Sequence, residues 1–426
     1  MKGKLIVIGA AILIIAGVAA LFIFGRPDPS QQLSGRLTFI GVFESPDVMN
    51  KLINAYRVIN PKVEIEYVAA DPVRYERDLL DALAGPNPPD VFMIHNAWLP
   101  KHFNKIFPFP SEQFSLNTLR QTYPTVVEQS FAPDGIVFAL PLYIDTLATY
   151  YNQDIFDNKG VAVPPKTWKE FEALIPKLRE LDKQGRILKA AAAIGGSNRS
   201  VNRGTDVLSL IMLQSGVKMV DGGFTAATFN QPPGPDAFRY YLKFANPLDP
   251  LYTWSESGAQ SLDSFAAGET AIMFNYSHQA AFLKEKNPFL NFRVIPMLQP
   301  ENRTQDVNYP SFWGVAVAAN SRNRALAQNF IAFLAANPDS AITYLNETGR
   351  PPALRSLIGQ TSNNANIGVF SRQALTARSW PQVDSAAVDA IFSNMIASVL
   401  TGQLPPDQAI QQAASSVSDL MRRRNL

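Results

Sequence analysis

The chain contains no cysteine. Disulfides, a thiolate nucleophile and cysteine-ligated metal centres are therefore excluded. Histidine is nearly as scarce: His95, His102 and His278 are the only three among 426 residues, and their spacing forms no recognisable metal-ligand pattern. An excess of one charge is missing as well, with 38 basic and 36 acidic side chains. That balance leaves no electrostatic footprint for nucleic acid. The one basic cluster, Arg422-Arg423-Arg424, suits the C-terminal end of a helix dipole. There is no GxGxxG, no GxxxxGK[ST], no internal repeat and no low-complexity tract.

What is present is globular: 46% hydrophobic residues with 17% charge. At this length two domain-sized bodies are expected. A single long apolar run occupies residues 5–24, with no charged or polar side chain and with Lys2 and Lys4 before it. At ~1.5 Å per residue a helix there spans about 30 Å, one hydrocarbon core. The apolar stretch continues past Val18-Ala19-Ala20, so an uncleaved anchor is expected rather than a signal peptide. Two lysines before the run against Arg26 after it place the N-terminus in the cytoplasm and the rest of the chain outside. Residues 26–35, rich in Pro, Gln and Ser, read as a tether.

Beyond the tether, alternation and helical spacing give strands over 37–43, 63–67 and 90–94 with helices between them. Ser45-Pro46 and Asp71-Pro72 read as helix starts, and Asn60-Pro61 and Gly85 as stops. This β-α-β-α-β order predicts a parallel sheet covered by helices. Ligands of such sheets sit beyond the carboxyl ends of the strands. Glu44 and the stretch His95-Asn96-Ala97-Trp98 fall there. Trp98 reads equally as a stacking platform or as local packing.

Residues 138–156 (FALPLYIDTLATYYNQDIF) hold the chain together. The run 147–151 suits a strand buried on both faces, and Tyr143 and Asp145, two apart before it, point to one side of an extended chain. We read it as a strand crossing between two bodies. Thr167 with Glu170 three residues later is a capping box, and Trp168 opens the helical apolar spacing behind it, as core. Residues 195–199 (GGSNR) before a helix have the composition of an anion-holding loop, though an ordinary strand-to-helix turn is the favoured reading. Asn275, Tyr276 and His278 follow the strand 270–274, and Phe312-Trp313-Gly314 opens another buried strand that reads as a second crossing.

Four segments, PLYIDTLATYYNQDIFDNKGVAVPPKTWKEFEAL, SFAAGETAIMFNYSH, FWGVAVAANSRNRALAQNFIAFLA and TGQLPPDQAIQQA, occur in that order. Together they resemble the extracellular solute-binding proteins of ABC importers, family 1, the group that includes maltose- and multiple-sugar-binding proteins. The resemblance spans about residues 37–417 and implies an α/β, two-lobed periplasmic-binding-protein-like fold of type II, here preceded by the N-terminal transmembrane helix. It implies anchor and tether over 1–35, a first lobe over 36–146 with a return segment near 314–350, and a second lobe over 147–313 with a C-terminal segment 351–426. Ligand contacts carry over to Asn96 and Trp98, to Tyr143 and Asp145, and to Asn275, Tyr276 and His278, while Trp313, Arg350 and Trp380 stand where they can face the cleft. Glu44 joins them from its place after the first strand. The family's sugar-stacking aromatic is matched here by His278, with Tyr276 two residues earlier.

The expected ligand is a sugar or oligosaccharide, its ring faces stacked on Trp98, Tyr143, Tyr276, Trp313 and Trp380 and its hydroxyls paired by Glu44, Asn96, Asp145, Asn275 and Arg350. Expected partners are an ABC permease and, through the anchor, the lipid bilayer; a monomer is expected, with no cofactor, no metal and no catalysis. Two rivals carry different signatures: an anchored sensor or adhesion domain without a transporter, and a glycoside hydrolase using Glu44 and Asp145 as a carboxylate pair ~5–9.5 Å apart.

Overall fold

The computed structural model of the protein describes residues 33–424. The expected membrane helix falls on residues outside that range; among the described residues no helix is long and apolar enough to cross a membrane.

The first sheet grows from the strand Ser34–Val42, which pairs in parallel with Lys62–Ala70 on one side and Val91–His95 on the other. The helix between the first two strands, Pro46–Ile59, begins where Ser45 Oγ accepts from Val48 N and buries Met49, Leu52, Ile53 and Tyr56. The next helix starts later than its Asp-Pro signal predicts, at Tyr75, because Asp71 Oδ1 accepts from Val73 N at 2.8 Å and holds an Asx turn instead of capping. The strand Trp313–Ala318 returns from far along the chain and pairs antiparallel with Val91–His95, Trp313 opposite His95. It also takes Ala139–Pro141 and Ile106–Phe107 as neighbours. Helices Arg324–Ala336 and Pro338–Thr348 follow it and pack on this lobe.

The second sheet runs in the order Phe292–Ile295, Ala148–Asn152, Thr270–Asn275, Ile187–Ala192, Glu180–Leu181. The two central strands are buried at every residue, which is why they read as continuous apolar runs rather than alternations. Trp168 lies in this lobe's core with its indole N–H donating to Gln214 Oε1 at 2.7 Å, and the capping box of Thr167 and Glu170 forms in both directions.

One core gathers side chains from 37–144 and 312–358 with Ala374 and Ala377; another gathers 147–309 and 380–421. Between Ile144 and Leu147 the chain passes from the first to the second, and between Tyr309 and Phe312 it passes back. These two crossings pair as a two-stranded antiparallel ladder, Thr146 with Pro310 and Asp145 with Ser311. A third segment lies beside them: Arg378 N donates to Asn308 O at 2.8 Å, and the buried Gln373 donates to Thr146 Oγ1 and Leu147 O, both at 2.9 Å, while accepting from Met297 N. The lobes are thus joined by three short segments that run side by side.

Candidate functional site

Two cavities are each lined by both lobes. The smaller, of about 360 Å³, lies at the carboxyl ends of the first lobe's central strands. Its first-lobe wall is aromatic. Trp98, placed by the turn after Val91–His95, lies parallel to Tyr75 at 6.1 Å and edge-on to Trp313 at 4.9 Å. Tyr75 is locked behind it, its hydroxyl donating to Met93 O at 2.7 Å and accepting from Met93 N at 3.0 Å. Asn96 binds the return strand twice, its N–H donating to Phe312 O and its Oδ1 accepting from Phe312 N. The same pairing that puts Trp313 opposite His95 therefore brings both tryptophans together. Burial, with Arg203 nearby, pushes the His95 imidazole down to about 3 and keeps it neutral. Its Nε2 lies 3.2 Å from Ser311 Oγ, and its Nδ1 accepts from Ala97 N.

The second-lobe wall is mainly polar, with the rings of Tyr276, Tyr309 and Phe392 set among its charged and hydroxyl groups. Helix Gly204–Gln214 presents Asp206 from its first turn, and Arg203 precedes it in a left-handed conformation, φ 68°. Tyr276, at the end of Thr270–Asn275, donates its hydroxyl to Asp206 Oδ2 at 2.9 Å and lies under the Arg203 guanidinium at 5.3 Å. Burial pushes the Asp206 carboxyl up to about 6; Arg203 opposes this and Asp389 adds to it. Asp389 is itself held by Asn198 Nδ2 and Thr205 Oγ1. Thr205, Ser209 and Gln382 supply further hydroxyl and amide groups to this wall. Arrayed together, a wall of ring faces opposite a wall of donors and acceptors can grip a ligand with one apolar side and one hydroxylated side.

At the rim, Lys101 of the first lobe bridges Glu76 Oε1 at 2.8 Å and Asp384 Oδ2 of the second lobe at 2.9 Å. Glu76 also accepts from His102, and these bonds hold its carboxyl down at about 2.

Four of the expected residues, Asn96, Trp98, Tyr276 and Trp313, line this cavity. Glu44, His278 and Arg350 line the larger one, of about 800 Å³. There Arg350 Nε sits 3.1 Å from the buried Glu44 Oε1, Tyr344 donates to the same oxygen at 2.6 Å, and the Arg350 guanidinium lies 4.4 Å over the ring of Tyr143. The remaining expected residues line neither cavity. Tyr143 is buried under Arg350. Asp145, 2% exposed, accepts from Thr146 N, Ser277 N and Ser277 Oγ, so it pins the second lobe's post-strand turn to the crossing. Asn275 is buried between Asn202 and Tyr276 N. Trp380 lies in the second lobe's core, parallel to Phe392, which is the ring that reaches the cavity. The two carboxylates of the hydrolase alternative, Glu44 and Asp145, are thus each taken up by protein donors, and neither lines the smaller cavity.

The glycine-serine loop before helix Gly204–Gln214 does hold an anion, and it is the protein's own. Glu256 accepts from Ser197 N at 2.8 Å and from the hydroxyls of Ser197 and Ser200. Arg203 and Asp206 were not among the expected site residues. One signal was available: Asp206 is the sole charged residue of the helix.

Fold and cleft together define a two-lobed binding protein of the periplasmic type. The model of the bacterial extracellular solute-binding protein family matches residues 43–340, and the chain belongs to that family. A putative binding protein of Brucella abortus is 22% identical over 382 residues, 87% of this chain and 88% of that one. A probable ABC transporter-binding protein of Deinococcus radiodurans is 23% identical over 341 residues, 76% of this chain and 77% of that one. Among solved structures, the sugar-binding protein MalE of Xanthomonas citri superposes with a TM-score of 0.77 at 18% identity, covering 92% of this chain and 98% of that one, a likeness of fold.

Proposed function

We propose that the protein captures a carbohydrate in the smaller cavity between its lobes and delivers it to an ABC-type importer, without chemistry on the ligand. The observation that carries this reading is the division of labour across the cavity: Trp98 and Trp313 form one wall, Arg203, Asp206 and Tyr276 the other. A pyranose has apolar ring faces and an equatorial rim of hydroxyls, which such a pair of walls matches. Entry and release would open the walls by a hinge motion at the crossing segments, breaking the bridge that Lys101 and Asp384 make at the rim. Tethering by residues 5–24 would keep the protein, as a monomer, on the extracytoplasmic face beside its permease. The names of similar proteins, a transporter-binding protein and a sugar-binding protein, are consistent with this role.

The test is thermal shift of the purified protein against mono- and oligosaccharides, with polyamines, peptides and phosphoesters as controls. A ligand at about one hundred times its Kd stabilises by ~2.7 kcal/mol. The reading predicts a shift with one carbohydrate class, lost in Trp98→Ala. A shift with a control class alone replaces the cargo, and silence across the panel removes the carbohydrate reading.

A further inference from the structure

The gap between the lobes is two chambers rather than one, and a single side chain from the first lobe belongs to both linings: Phe43. On the second lobe the consecutive residues Tyr276 and Ser277 line one chamber each. The boundary between the chambers therefore runs past the Phe43 ring on one side and this two-residue turn on the other.

Phe43 is an unusual residue to find there. Its backbone is left-handed, φ 72°, a conformation that bulky side chains seldom adopt and that tends to occur where structure serves function. Its ring is half exposed, yet it is held: edge-on to Trp313 at 5.4 Å and under the Arg350 guanidinium at 5.8 Å. Trp313 belongs to the aromatic wall of the smaller chamber, whereas Arg350 lines the larger. In contact with one residue of each lining, the ring stands at the boundary between the chambers.

Resting on the carbohydrate reading above, we infer that Phe43 sets ligand length. The smaller chamber, about 360 Å³, is at the low end of the size range of ligand pockets, and the larger, about 800 Å³, is near the upper end. With the ring in place, a short carbohydrate fills the first chamber and is stopped at Phe43. With the ring removed, the chambers join, and additional sugar units reach Glu44, His278, Lys284 and Arg350. Those groups can pair hydroxyls, whereas the packed tryptophans Trp98 and Trp313 line only the first chamber. The first chamber thus keeps the ring that is stacked.

Phe43→Gly removes the ring and also suits the left-handed backbone. Phe43→Trp keeps an aromatic partition. Titration calorimetry on wild type and both variants would use glucose, galactose and mannose, and the malto-, β-galacto- and manno-oligosaccharides of two to four units. The inference expects wild type to bind mono- or disaccharide at least ~10-fold more tightly than the tri- and tetrasaccharide of its class, Phe43→Gly to lose that preference, and Phe43→Trp to retain it. Equal affinity of wild type for short and long members overturns it, whatever the variants do. So does a length preference unchanged in Phe43→Gly, or one lost equally in Phe43→Trp. Absence of binding by all three proteins to every sugar overturns the carbohydrate reading itself, and this inference with it.

Discussion

The two walls of the cleft are built on opposite principles. The first lobe offers rings that pack on one another: Tyr75 behind Trp98, Trp98 against Trp313, Trp313 against Phe43. The second offers charges and hydroxyls that are already partly paired: Tyr276 with Asp206, Thr205 with Asp389. An aromatic wall is rigid and needs no partner to be stable. A polar wall that is buried on closure needs its groups satisfied, and a ligand rich in hydroxyls supplies what is missing. The difference teaches that affinity should come mainly from the first lobe and discrimination among ligands from the second.

Removing a ring should therefore have the largest effect. Trp313→Ala takes away one stacking face and the support of Trp98, and is expected to cost ~2–3 kcal/mol of ligand affinity, about 30- to 150-fold in Kd. Because Phe43 and Trp98 both pack on it, the melting temperature without ligand falls too; titration calorimetry and a thermal melt separate the two effects. On the other wall, Asp206→Asn keeps the shape but gives up a charged acceptor, and should weaken binding by ~1–2 kcal/mol while broadening the range of sugars accepted. A sugar panel read by calorimetry checks both halves of that statement.

The pH dependence sharpens the same contrast. Asp206, pushed up to about 6, lines the cavity and changes charge under mild acid. Ligand hydroxyls donate to the ionised carboxylate, so affinity should fall as pH is lowered through about 6 in wild type and stay flat in Asp206→Asn. For stability the sign is reversed. A carboxyl whose folded value lies above its usual 3.8 favours folding most when protonated, and that contribution is lost as pH rises through about 6. Ligand-free melts of wild type should accordingly show a decline over this window that Asp206→Asn lacks. The smallest effect belongs to the rim. Lys101→Met breaks the bridge to Asp384 between partly exposed groups and should cost no more than ~1 kcal/mol of affinity, visible chiefly as a weaker dependence on salt.

How much of this could be read in the residues alone differs between fold and site. The first lobe was legible because Ser45-Pro46, Asn60 and Gly85 punctuate strands and helices by local chemistry. The crossing was legible because a short apolar run follows Pro141, and residues 148–152 are indeed buried throughout. Asp71 misled for an equally local reason: the same side chain that can cap a helix can close an Asx turn. In the cavity lining, Trp98 and Tyr276 stood out because they follow strand ends, and Trp313 because it opens a buried strand. Asp145 and Asn275 stood in similar positions, but their roles are decided by Ser277 and Asn202, 132 and 73 residues away, which no local pattern announces. Trp380 and Phe392 are neighbours in one stack, and only packing determines which of them reaches the cavity. Arg203 and Asp206 were missed because the anion-holding composition before their helix lies at residues 195–199, and the anion that loop holds is Glu256.

The most direct measurement is calorimetric titration of one carbohydrate ligand into wild type, Trp98→Ala and Asp206→Asn, one substitution in each wall. If the ligand sits between the walls, both variants weaken binding of the same sugar, Trp98→Ala by ~10-fold or more and Asp206→Asn by less. Full affinity retained in either variant would place the ligand elsewhere and contradict a site shared between the lobes.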